Sequence, residues 1–139
     1  MPPDLEPTQQ AGRALMMRGI KGRVVMLNLL RFREVADYSA APDLAPPERI
    51  TGAEAFARYI AHTRPFLARS GGELVFLADG GTLLIGPPGE RWDRVMLVRQ
   101  SSIEAFIAFA DDAAYLAGLS HRTAAVEDSR LLPLVELAS

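Results

Sequence analysis

The chain has 139 residues, a length that fits one domain and lets it bury roughly two-thirds of its unfolded surface without a staple. It contains no cysteine, which excludes a disulfide scaffold, thiolate chemistry, iron–sulfur clusters and cysteine-based zinc sites. Its 15 basic and 17 acidic residues are interleaved, leaving a net charge of −2 and no basic stripe to release counterions from a phosphate backbone, so nucleic acid is not an expected partner.

Lys21 is the single lysine, so the positive charge is almost all arginine. Genome base composition explains that bias more simply than carboxylate or phosphate recognition does, because the arginines do not cluster. Residues 1–7 are proline-rich and read as a loose extension with no signal-peptide pattern. No apolar run is long enough to cross a membrane, and a cytoplasmic location is expected.

Thr8 to about Arg18 reads as a short helix with Thr8 as N-cap, stopped by Gly19 and Gly22. Together with residues 1–7 this makes an N-terminal extension over 1–22, with one domain expected over 23–139. Arg23–Phe32 is the clearest strand. It is apolar on both faces, with Val24, Met26, Leu30 and Phe32 on one and Val25, Leu27 and Leu29 on the other, so both faces need cover. The connection over 33–50, with Pro42, Pro46 and Pro47, is long for a compact domain and reads either as a lid or as disorder.

A helix is predicted over Thr51–Arg69, with Pro65 kinking or restarting it and Gly71-Gly72 capping its end. Glu73–Ala78 reads as a strand, Asp79-Gly80-Gly81 as a turn, Thr82–Ile85 as a short extension, and Asp93–Arg99 as the next strand. Ser101 with Glu104 forms the pattern of a capping box opening a helix through Ala110, followed by a break at Asp111-Asp112 and a turn of helix at Tyr115. Residues 121–127 read as helical and Leu131–Leu137 as the last strand.

That order, βαββαβ, predicts an α+β ferredoxin-like domain with an antiparallel sheet, both helices on one face, and the last strand at an edge, where Pro133 is tolerated. The face left open is too apolar for a monomer. Packing against a second copy is the expected solution, with partial cover by the N-terminal helix as the alternative.

Several segments resemble a known bacterial family. Val24-Val-Met-Leu-Asn-Leu-Leu-Arg-Phe-Arg33 followed by Ala36-Asp-Tyr38 is similar to its opening strand and loop, and Gly52-Ala-Glu-Ala-Phe-Ala-Arg-Tyr59 to its first helix. Glu90-Arg-Trp-Asp-Arg-Val95 and the stretch from His121 to Leu131 are similar to its third strand and closing segment. The family is a domain of unknown function (DUF1330) within the dimeric α+β barrel superfamily. The resemblance implies the fold and the dimer, but lends no reaction, and fold alone does not imply one.

Candidate site residues come from chemistry alone. Asn28 places an amide inside an apolar strand, where it must be hydrogen-bonded, either to a ligand or to a structural partner. His121 is a candidate acid/base with Asp128 as its orienting carboxylate. Seven residues along one helix would hold them about 10 Å apart, so the pair requires the helix to end between them. Tyr59 and Trp92 are candidate pocket lining, and Arg31, Arg94 and Arg122 are candidates to hold a carboxylate. His62, at the border of a helical stripe, reads as packing. No cofactor motif is present, and two histidines without cysteine do not suggest a metal site. The expectation is a homodimer with a small-molecule pocket under the 33–50 loop. It acts either as a cofactor-free enzyme on a small organic acid or carbonyl compound, or as a binding module without turnover.

Overall fold

The computed structural model describes residues 3–138. Its elements run α1 (Gln9–Met17), β1 (Val24–Phe32), α2 (Gly52–Arg69), β2 (Glu73–Thr82), β3 (Arg91–Gln100), α3 (Ile103–Ala110), α4 (Ala113–Leu116), α5 (Leu119–Ala125) and β4 (Val126–Leu134). The four strands form one sheet in the order β2-β3-β1-β4, and every pairing is antiparallel. This is the ferredoxin-like topology, with β4 and its Pro133 at an edge.

Burial alternates strictly along β1, with Val24, Met26, Asn28, Leu30 and Phe32 buried and the odd residues half-buried. The even set packs against the helices. Leu30 and Phe32 join Phe56 and Tyr59 of α2, Met96 of β3 and Ala124-Ala125 of α5 in the main core. Val24 and Met26 form a second cluster with Ile103, and Leu15 of α1 packs onto it. So α1 lies on the helical face, and the alternative in which it shields the opposite face does not hold.

Register fixes what that opposite face presents. Leu27 stands between Leu97 and Leu132, Leu29 opposite Val95, Val25 opposite Leu134, and Phe76 opposite Leu97. Phe76 and Leu132 are 53% and 52% exposed, so the middle of this face is apolar and open to solvent.

Local sequence explains most boundaries. Thr8 caps α1 by accepting from the Ala11 amide, and Thr51 with Glu54 forms a complete capping box on α2. Helix α2 runs through Pro65 as one element, without the expected restart. Helix α3 begins one residue later than the sequence pattern suggested: Ser102, not Ser101, is the N-cap and accepts from the Ala105 amide. Asp79-Gly80-Gly81 is not a turn but the end of β2, where Gly80 lies against the Trp92 carbonyl so closely that a β-carbon would collide with it. The turn falls later, over 83–90, and Leu83–Ile85 are not strand. Strand β4 starts at Val126, five residues before the expected Leu131.

The 33–50 connection is tied down at both ends. The Arg33 amide donates to the Ala125 carbonyl (2.8 Å), Gly52 to Arg33 (3.1 Å), Ala36 to Ile50 (2.9 Å) and Asp37 to Ala124 (2.9 Å). With Ala36, Leu44 and Ile50 packed on the core, it is a closed loop fixed against α5, not a free tip. The N-terminal extension is held too. The Asp4 amide donates to Asp128 (2.8 Å), the Ser129 amide to the Asp4 carbonyl (3.1 Å), and Leu5 reaches the core. Residues 1 and 2 of the stretch read as loose lie outside the described residues.

Candidate functional site

The loop closure sets one side chain in particular. Tyr38, directly after the Asp37–Ala124 bond, is buried, and its hydroxyl lies 2.7 Å from His121 Nδ1 with the rings edge-on. His121 is half-buried in the first turn of α5. Burial, then the Arg58 guanidinium, then His62 hold its imidazole below the ordinary value, so the ring is neutral near pH 7. Burial raises the Tyr38 hydroxyl against the pull of Arg58, so the phenol keeps its proton. A neutral phenol beside a neutral imidazole donates best to the unprotonated ring nitrogen, which assigns Tyr38 O–H as donor, Nδ1 as acceptor and the ring proton to Nε2. Among the described residues Arg58 is exposed and has no carboxylate within ion-pair distance, so a cation stands near this pair with its charge uncompensated.

Behind the pair, Tyr59 and Tyr115 share a hydroxyl contact of 2.9 Å, and both are buried. Burial and then the Tyr59 neighbour push the Tyr115 hydroxyl far up, which leaves a neutral phenol in a structural role. The ring of His62 rests on Phe66, and its Nε2 lies 2.9 Å from the Ala114 carbonyl and 3.2 Å from that of Tyr115. That contact pins α4 to α2, and His62 is a packing residue, as the sequence pattern indicated.

Asp128 does not orient His121. It sits in β4 opposite Arg31, accepts from the amides of Asp4 and Ser129 and from Arg130 (2.9 Å), and has Arg31 at 3.8 Å. Burial alone would raise its carboxyl, but those two amides and Arg130 outweigh it and hold the group below the ordinary value. The helix does end between His121 and Asp128, as the dyad required. However, the chain then turns into the sheet and carries the carboxylate to the N-terminal extension.

The remaining candidates do not meet in one pocket. Asn28 faces the helices between Met96 and Leu131, 8% exposed, and its amide donates to the Met26 carbonyl at 3.2 Å. Trp92 is 5% exposed; its N–H donates to Glu90 (3.1 Å) and the Arg130 guanidinium lies 5.1 Å over its ring, so its face is already covered. Arg31 pairs with Glu127 (3.1 Å). Arg122 reaches the Leu5 carbonyl at 3.4 Å and anchors the extension. Arg94 pairs with Asp79 (2.9 Å) and lies over the Phe32 ring. The expected common pocket of Asn28, Tyr59, Trp92 and His121 is therefore replaced by separate environments. Tyr38 was missed as a site residue, because its partner is 83 positions away and a loop tyrosine carries no signal of its own.

A cleft of about 490 Å³ opens elsewhere, at the end of β1 and β3 beside the first turn of α2, lined by Arg33, Glu34, Thr51, Ala53 and the Arg91–Asp93 and Arg94–Asp79 pairs. Among the described residues no group of three or more His, Asp or Glu side chains could hold a metal ion, and no helix is long and apolar enough to cross a membrane.

Two crystal structures of RPA0582, a protein of unknown function from Rhodopseudomonas palustris, are similar over almost the whole of both chains. The methylated form is 37% identical over 99% of this chain and 98% of that one (TM-score 0.84). The other is 36% identical over 96% and 97% (TM-score 0.80). SnoaB from Streptomyces nogalater, described as a cofactor-independent oxygenase, is 15% identical over 86% of this chain and 97% of its own (TM-score 0.53), a likeness of fold. A Thermobifida fusca protein described as dimeric, ferredoxin-like and of unknown function is 16% identical over 83% and 92% (TM-score 0.49). No curated protein matches the chain. The model of the domain of unknown function (DUF1330) matches residues 47–136, and the chain belongs to that family.

Proposed function

We propose that the protein is a homodimeric small-molecule-binding barrel in which Tyr38 and His121 transfer a proton on a small organic acid or carbonyl compound without a cofactor. The observation that carries this reading is the 2.7 Å contact between the Tyr38 hydroxyl and His121 Nδ1, formed by two groups that are both neutral near pH 7. A proton leaving a carbon next to a carbonyl passes to the Tyr38 oxygen as the phenol proton passes to Nδ1, leaving an enolate and an imidazolium. The imidazolium then returns its proton to the Tyr38 oxygen as the phenol proton passes to a different carbon or face of the enolate, which completes an isomerisation with no electrons exchanged. Arg58 disfavours the imidazolium, which speeds the return, and its uncompensated charge suits the substrate's oxyanion.

The second reading is a binding module without turnover. It is favoured by the hydrogen bonding of His121: among the described residues no carboxylate bonds its ring, so the usual orienting acid is missing. Both readings place the homodimer across the open sheet face.

A thermal-shift screen of small carboxylic acids and ketones identifies binders, and solvent-deuterium incorporation into each binder, followed by NMR, reads proton transfer. Incorporation that falls by about 100-fold or more in His121→Ala and Tyr38→Phe supports the enzyme, in line with the usual contribution of general acid–base catalysis. Incorporation unchanged in both variants removes the proton-transfer role. Binding with no incorporation at any pH establishes the module.

A further inference from the structure

We infer that the tip of the β2–β3 hairpin clasps a second copy of the chain, extending the sheet-to-sheet dimer on which this inference rests. The observation behind it is a pair of apolar side chains without cover: Leu84 is 100% exposed and Ile85 92%. Both stand beyond the body of the sheet. The β1–β3 ladder ends at Leu30 and Arg94, whereas β2 and β3 stay paired as far as Thr82 and Arg91, and the turn over 83–90 follows.

That turn is built to hold the pair outward. Gly86 lies so close to the Leu83 side chain that a β-carbon would collide with it, so Leu83 fills the inside of the turn. Pro87 and Pro88 restrict the return, and the Glu90 amide donates to the Pro87 carbonyl (3.3 Å). Leu84 and Ile85 are thus presented on a preformed turn, which lowers the ordering cost of an association.

Area and continuity point to a second copy as the occupant. Phe76 stands opposite Leu97 and Thr82 opposite Arg91, so the open side of the sheet runs along β2 up to the tip. Four strands of about nine residues give that side roughly 500–600 Å², below the ~800 Å² that each partner buries in a standard interface. Full burial of a leucine or isoleucine adds on the order of 100 Å², so the two tip residues supply much of the difference.

Charge sets the direction of the stack. At the start of β1, Lys21 and Arg23 have no ion-pair partner within 4.0 Å among the described residues. With Val25, Arg99 and Leu137 they line a cleft of about 440 Å³. A two-fold axis along the strands would stack these cations on their own copies, which is repulsive. An axis across the strands instead carries each tip to the start of β1 in the other protomer. There Leu84 and Ile85 meet Val25 and Leu137, while Glu90 approaches Lys21 and Arg23, and each contact occurs twice.

The test is sedimentation equilibrium of the wild type and of the double variant Leu84→Ser with Ile85→Ser. Because both side chains are exposed in the protomer, the variant should keep the wild-type circular dichroism while its dimer dissociation constant rises by about 100-fold or more. The chain has no cysteine, so Pro88→Cys accepts a single nitroxide. In mixed dimers with isotope-labelled wild type, the nitroxide should broaden the Arg23 and Val25 amides of the unlabelled-tip protomer. A monomeric wild type would overturn the clasp together with the sheet-to-sheet dimer. A dimeric wild type whose affinity the double variant shares would overturn the clasp alone, as would mixed dimers without that broadening. Phosphatidylglycerol vesicles that bind the wild type but not the variant, with no change in dimer affinity, would assign the tip to a membrane surface instead.

Discussion

His121 and Asp128 were expected to act together, yet they titrate in separate environments with separate consequences for stability. The folded imidazole is held below its ordinary 6.5, so the unfolded chain binds the proton first as pH falls. Stability contributed by the neutral ring is therefore lost from about pH 6.5 downward and levels off below the folded value. The Asp128 carboxyl is held below its ordinary 3.8. Its contribution is present above that value and disappears as pH falls through the folded one. Melting temperatures followed from about pH 8 to about pH 3 should show two declines. His121→Gln is expected to flatten the upper one and Asp128→Asn the lower one. A single decline in the wild type that neither variant alters would mean that these two groups are not the source.

At the scale of elements, the loop that delivers Tyr38 depends on how closely α2 approaches β1 and α5. Gly52 donates to Arg33, and a β-carbon there would collide with the Arg33 carbonyl and crowd that of Ala125. Gly52→Ala is thus expected to cost about 1–3 kcal/mol by overpacking, read as a lower urea midpoint. Because the same substitution pushes the loop off α5, it should also lower the activity or ligand affinity of the Tyr38–His121 pair more than the loss of stability alone explains. Wild-type midpoint and affinity in Gly52→Ala would show that the loop does not need this contact.

That dependence also marks where the sequence was readable and where it was not. Strand β1, the capped helices α1 and α2, the break at Asp111-Asp112 and the edge position of Pro133 follow from local chemistry: alternation, caps and a missing amide. The start of β4 was misplaced because Glu127-Asp128-Ser129-Arg130 is polar, and only pairing with β1 and the Asp4 strap makes it strand. Asp79-Gly80-Gly81 looked like a turn because its extended form is imposed by β3 across the ladder. The site was less legible still. The Tyr38–His121 contact spans most of the chain, and periodicity carries no information about such pairs.

The whole molecule leaves one large surface unexplained by its own chain. All the described helices that pack on the sheet do so from one side, through the even residues of β1. Across β4, the Ser129 amide at the edge donates to the Asp4 carbonyl (3.1 Å), Arg18 donates to the Pro133 carbonyl (2.8 Å), and Pro133 itself has no amide to offer. Growth of the sheet through that edge is blocked, whereas the open face presents Val25, Leu27, Leu29, Phe76, Val95, Leu97, Leu132 and Leu134. Four strands about 4.8 Å apart and about nine residues long offer roughly 500–600 Å² of projected area, close to the ~800 Å² of accessible surface that each partner buries in a standard interface. Two such faces stacked about 10 Å apart interdigitate as in a β-sandwich. The protein should therefore sediment as a dimer at micromolar concentration. Leu27→Glu, at the centre of the face beside Leu97 and Leu132, should shift it to monomer, because a second copy would bury two unpaired carboxylates. Glu127→Gln, at the charged margin, should leave the dimer intact. A monomeric mass for the wild type by light scattering, or a Leu27→Glu protein that stays folded and dimeric, would rule out the sheet-to-sheet interface.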